Sequence, residues 1–130
     1  MVYPANFESS IGFDRVREQI LGLCSMRRAQ DLLSAERFST SKREIEYRLS
    51  LTDEVGRLLA MEQEFPREGF SDITEIVRKI EIEGTFLDTA EVVTLTRALR
   101  SVGEVSSFIL SRDAVAYPSV RRLSEGVASF

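Results

Sequence analysis

The stretch SKREIEYRLSLTDEVGRLLAMEQE, residues 41–64, decides the fold. Ser41 is followed three residues later by Glu44, the reciprocal capping pattern that satisfies backbone donors at a helix start. Ile45, Leu49, Thr52, Val55 and Leu59 then recur at steps of three and four, and Leu58 widens the stripe. As one helix from Ser41 to about Glu64, the segment is ~34 Å long. No short neighbour covers that length, so flanking helices are expected to pack along it. Gly56 inside it is either a weak point of up to ~1 kcal/mol against alanine or a place where a neighbouring helix comes close.

On the C-terminal side, Phe65-Pro66-Arg67-Glu68-Gly69 stops the helix, because proline removes a donor and glycine relaxes the backbone. Asp72 with Glu75 marks the next start, and Ile73, Ile76, Val77 and Ile80 form its apolar face. Glu83-Gly84-Thr85 breaks that helix; a two-strand element over Lys79 to Leu87 is the alternative there, since Ile80 and Ile82 alternate with charges. Asp88 with Glu91 repeats the capping pattern. Val92, Leu95, Leu99, Val102, Ser106 and Ile109 follow as a heptad-like seam with one polar member. Arg112-Asp113 and Tyr117-Pro118 form a connection, and Ser119 opens a last pattern of Val120, Leu123 and Val127 that reads as cut in mid-helix.

On the N-terminal side, Met1 to Gly12 is an opening segment punctuated by Pro4 and Gly12, with Tyr3, Phe7 and Ile11 as anchors. Phe13, Val16, Ile20 and Leu23 share one helix face. Ser25 is the expected cap of a second short helix with Ala29, Leu32 and Leu33 on its buried side, and Phe38 to Ser41 links it to the long helix. The reading is all-α: one domain over 1–130, a bundle of about five to six helices, divided into the opening segment 1–12, the bundle 13–118 and the start of a truncated helix over 119–130.

Of the 130 residues, 43% are hydrophobic and 29% charged, the balance of a globular chain. The net charge of −4 argues against a strong binder of phosphate backbones. Cys24 is the single cysteine, so no internal disulfide forms; it is expected to be a reduced, buried small hydrophobe. Met1 to Asn6 carries no basic and apolar leader pattern, and no apolar run approaches the ~20 residues of a membrane span. A cytoplasmic protein is expected.

Catalytic chemistry is hard to place. There is no GxxxxGK[ST] motif to cradle a nucleotide phosphate. Without histidine, the common zinc spacings, the Ser-His-Asp and Cys-His pairings, and a Glu-x-x-His di-metal bundle are all excluded. Asp53-Glu54 and Glu81/Glu83 read as solvated faces rather than catalytic dyads. The doublets Arg27-Arg28, Lys42-Arg43, Arg78-Lys79 and Arg121-Arg122, and the pair Arg97 and Arg100, read as surface charges without aromatic residues between them to stack bases. No residue is singled out as catalytic, cofactor-binding or metal-ligating.

The order of elements resembles a known family. Ile11-Gly12-Phe13-Asp14-Arg15-Val16, the step Cys24-Ser25, Arg43-Glu44-Ile45 and Thr52-Asp53-Glu54-Val55 are similar in sequence and order to the opening of the MutS-two family, the second type of MutS-like protein. Gly69-Phe70-Ser71-Asp72-Ile73, Gly84-Thr85-Phe86-Leu87 and Arg97-Ala98-Leu99 continue that order; Met26-Arg27-Arg28-Ala29 departs from the family's Pro-Leu-Gly-Lys. The resemblance implies the N-terminal part of a helical core, or lever, that joins an ATPase to a DNA-embracing clamp in a homodimeric parent. It implies a structural and interaction role with no chemistry and no cofactor in this part, and ATP, magnesium and a small nuclease domain elsewhere in the parent. The partners implied are the rest of its own chain, a homodimer partner, and branched DNA or the ribosome, in DNA repair, suppression of recombination or ribosome rescue, with no membrane. An unrelated helical adaptor or dimerisation module is the alternative reading, and a stand-alone helical enzyme a third. Exposed parts of the Val92 to Ile109 seam, with Leu123 and Val127, are expected to make the chain self-associate through its C-terminal half.

Overall fold

The computed structural model describes residues 5–127, so the expected anchor Tyr3 and the punctuating Pro4 lie outside the described residues. The chain is all-α. Among the described residues seven helices follow in order: α1 (Phe7–Ser10), α2 (Phe13–Leu23), α3 (Arg27–Ala35), α4 (Lys42–Met61), α5 (Thr74–Ile80), α6 (Thr89–Leu110) and α7 (Pro118–Glu125). The count exceeds the expected five to six because the opening segment contributes the single turn of α1. Among the described residues there is no strand, so the two-strand alternative over Lys79 to Leu87 does not form. Gly84 takes the left-handed region at φ 81° and the Thr85 hydroxyl donates to the Ile82 carbonyl at 2.7 Å, which closes a turn instead.

The packing is open. The chain exposes 9977 Å², against about 6,900 Å² for a compact monomer of this mass. Among the described residues the buried core lies where α7 crosses α4 and α6: Leu58, Ile109, Tyr117 and Val120, with Leu51, Phe65, Val105, Phe108 and Ala116 around them. Phe65 meets Phe108 edge to face at 5.4 Å, and the Arg112 guanidinium stacks 4.0 Å from the Phe108 centroid. A second, shallower group joins α1, α2 and α3. There Phe38 meets Phe7 at 5.5 Å and Phe13 at 6.0 Å, while Arg17 grips Glu8 through two bonds of 2.8 and 2.9 Å and donates to the Leu33 carbonyl at 2.7 Å. No residue of α1, α2, α3 or α5 is fully buried.

Several expectations are corrected here. The long helix ends at Met61, not near Glu64, because Phe65 has to swing into the core against Phe108; Arg67 then covers the freed carbonyls of Leu59 and Glu62. Of the expected apolar stripe of α4 only Leu58 is buried: Leu51, Glu54 and Leu58 face the core, while Ile45, Leu49, Val55 and Leu59 stay exposed. Only α7 packs substantially along α4, and no atom comes within 4 Å of a Cβ placed on Gly56. Gly56 is therefore the weak point and not a close approach. Likewise only Ser106 and Ile109 of the α6 seam are fully buried; Val92 and Val102 are exposed, and Ala98 and Ser101 take their place inside.

The capping patterns divide three ways. Asp88 and Glu91 form the full reciprocal box, both bonds 2.8 Å. Ser41 accepts from the Glu44 amide at 3.4 Å, but the Glu44 carboxylate turns to Ser39 and Arg48, so half of that box forms. Asp72 and Glu75 form none: Asp72 bonds Thr74, and Glu75 pairs with Arg78 at 2.8 Å. Ser25 is not the cap of α3 either; Met26 holds that position without a side-chain bond.

Candidate interaction site

Besides Arg17, three carboxylates join helices at polar junctions. The first is Glu54 on α4. Its side is shared with Leu51 and Leu58, so it is carried into the core and left 3% exposed. Its two carboxylate oxygens accept the Ser119 amide at 3.1 Å and the Val120 amide at 2.8 Å. Pro118 at the first position of α7 has no N–H, and Arg121 N already donates to the Tyr117 carbonyl at 3.0 Å. Glu54 thus satisfies the two open donors inside the first turn of α7, and its charge sits at the positive end of the helix dipole. At the other end, the Ser106 hydroxyl of α6 donates to the Ser124 carbonyl at 3.1 Å.

The second junction is Asp72, which ties α3 to α5. It accepts the Arg27 amide at 2.7 Å, the Thr74 amide at 3.0 Å and the Thr74 hydroxyl at 2.6 Å. The Thr74 hydroxyl, then the two amides, hold its carboxyl at about 2, below its ordinary 3.8. The third is Glu91, whose capping carboxylate also takes the Lys79 ammonium through bonds of 2.9 and 2.7 Å. The lysine bond first, then the Asp88 amide, lower its pKa.

The reading of Asp53-Glu54 as one solvated pair is therefore half wrong. Asp53 pairs with Arg57 at the surface at 3.0 Å, while Glu54 is the buried cap. Two signals pointed to it: apolar neighbours three before and four after, and a last helix whose start, Tyr117-Pro118, carries no cap of its own. Glu81 and Glu83 are exposed. Cys24 is half-buried, its thiol directed to the Ile20 carbonyl at 3.4 Å. Among the described residues no group of three His, Cys, Asp or Glu could hold a metal ion, and no helix is long and apolar enough to cross a membrane.

The basic doublets are mostly paired at the surface: Arg27 with Glu75, Lys42 with Glu46, Arg78 with Glu75, Lys79 with Glu91 and Arg121 with Glu125. Arg43 and Arg122 line one open cavity of about 410 Å³ with Ser41 and Tyr47, and Arg97 and Arg100 flank an apolar groove of about 230 Å³ with Val92 and Val93. These places, like the stripe of α4, are open to solvent.

The chain is similar to two curated proteins. It is 30% identical over 118 residues to the endonuclease MutS2 of Alkaliphilus metalliredigens (strain QYMF), which covers 90% of this chain and 14% of that protein. It is 27% identical over 119 residues to the putative endonuclease MutS2 of Bacillus subtilis (strain 168), 90% of this chain and 15% of that one. No family model matches the chain, and no solved structure matches it. The chain spans about one-seventh of the length of these relatives, and over 90% of its own length it is related to proteins named MutS2.

Proposed function

We propose that this chain is the N-terminal part of the helical core, or lever, of a MutS2-like protein, with a structural and interaction role and no chemistry of its own. The observation that carries the reading is the match itself, which takes in 90% of this chain but only 14–15% of each relative. An all-α arrangement held by remote polar caps, with extensive exposed apolar surface, supports a part that transmits position between neighbours. In this reading ATP and magnesium bind elsewhere in the parent, which is an ATPase and, as its relatives are named, an endonuclease. The parent acts as a cytoplasmic homodimer on branched DNA or on the ribosome.

A chimera tests it. The matching 119 residues of the Bacillus subtilis relative are replaced by residues 1–130 of this chain, and ATP hydrolysis is compared with the parent and with a deletion of the same region. The expected result is that the deletion loses activity, the chimera regains most of it, and the chain alone hydrolyses no ATP. A chimera no better than the deletion, or turnover by the chain alone, refutes the proposal.

A further inference from the structure

The helices fall into two groups. α1 and α3 pack on α2, whereas α4 and α6 pack on α7. The loop around Asp72 goes with the second group, because it is tied to α6 on both sides. The Ser101 hydroxyl donates to the Gly69 carbonyl at 2.9 Å, and the Lys79 ammonium donates to Glu91 at 2.7 Å. Among the described residues, three polar links cross from one group to the other. The amide of Arg27, the first residue of α3, donates to Asp72 at 2.7 Å; the Arg27 guanidinium lies 3.8 Å from Glu75; and Glu36 pairs with Arg48.

All three links are exposed. When they part, water takes the place of each lost partner and no buried donor is left unsatisfied. An exposed ion pair shifts an equilibrium by no more than about fivefold. The core of the second group is held differently, by the buried Glu54 cap and the fully buried Leu58.

The connection between the groups changes allegiance within one residue. Phe38 rests on Phe7 and Phe13, and the Arg37 guanidinium donates to the Ser34 and Glu36 carbonyls at 2.8 Å, so the chain up to Phe38 belongs with α3. Ser39 bonds the Glu44 carboxylate and Ser41 caps α4, so the chain from Ser39 onward belongs with α4. Residues 36–41 have no regular structure before α4 begins, and among the described residues the amides of Phe38, Ser39 and Thr40 donate no hydrogen bond. Turning about the Phe38–Ser39 step therefore breaks nothing on either side of it.

We propose that α1, α2 and α3 form a single arm that swings on the Phe38–Ser39 step and is latched to the rest of the chain by Asp72 and Glu36. The arm has two orientations, closed on Asp72 and open, and the α4–α6–α7 core is the same in both. This device stands on bonds within the chain and does not rest on the MutS2-like reading.

Double electron–electron resonance between nitroxide pairs, attached to cysteines in a Cys24→Ser background, reads the motion. Positions 19 and 104 span arm and core, 19 and 31 lie within the arm, and 43 and 104 lie within the core; Gln19, Asp31, Arg43 and Glu104 are all exposed. Glu36→Ala leaves the Asp72 bonds in place and is expected to raise the population of a second spanning distance by up to about fivefold. Asp72→Ala/Glu36→Ala is expected to raise it further, while both inner pairs keep their wild-type distances. Spanning distances that match wild type in both variants overturn the proposal. So does an inner pair that spreads along with the spanning one, because the arm or the core would then be loosening instead of turning.

Discussion

Removing the Glu54 carboxylate is the sharpest test of how this fold is held. In Glu54→Ala the half-buried Ser119 amide and the buried Val120 amide lose their acceptors at 3.1 and 2.8 Å. Each buried donor left unsatisfied costs about 1–3 kcal/mol, so about 2–6 kcal/mol together. Relief of the buried carboxylate's own desolvation offsets part of this. The net expectation is a loss of about 2 kcal/mol, the upper end of what a helix cap is worth. For a chain of this size that is about 8 °C in the unfolding midpoint. Glu54→Gln keeps one acceptor oxygen but turns an NH₂ group toward the other amide, and is expected to lose about half as much. Thermal unfolding followed at 222 nm, with Asp53→Ala as the control, measures all three. Asp53 is a surface partner of Arg57, and its loss should cost less than about 0.5 kcal/mol. The reasoning fails if Glu54→Ala stays within about 0.5 kcal/mol of wild type, or if Asp53→Ala costs as much.

Gly69→Ala should destabilise by about 1–3 kcal/mol, because φ is 89° and the new Cβ would meet the Ser101 hydroxyl at 2.9 Å. Urea titration measures it, and an added Ser101→Ala change should recover only the steric part. Asp72 has a folded pKa of about 2 against 3.8 unfolded, a lowered value, so its contribution is present above pH 3.8 and is lost as pH falls toward 2. The difference in melting midpoint between wild type and Asp72→Asn should therefore be largest near neutrality and shrink between those pH values; a difference that grows on acidification refutes the assignment. Leu58→Ala, at a fully buried large side chain, should cost about 2–5 kcal/mol in the same titration, and a cost below 1 kcal/mol would mean that the α4–α6–α7 core is not the cooperative unit.

Local chemistry was legible in the sequence wherever both partners sit within a turn of each other. The Asp88/Glu91 box, the Ser41 cap, the break at Gly84 and the all-α class need only near neighbours and a 3.6-residue period, so they follow from the string of residues alone. What the string left open was which apolar face of a helix is covered. On α4, the periodic stripe Ile45 to Leu59 and the side formed by Leu51, Glu54 and Leu58 are both consistent with helical spacing. The docking of α7 chose the second, and with it made Glu54 a buried cap rather than a solvated charge. At Asp72 both kinds of partner act: its reciprocal box lost to the Thr74 amide and hydroxyl, two residues on, and its other oxygen to the amide of Arg27, 45 residues away. Periodicity says that a face can be buried, but burial depends on a neighbour arriving. An acceptor within a turn is supplied by local spacing, whereas one supplied from 65 residues upstream exists only once the chain has folded.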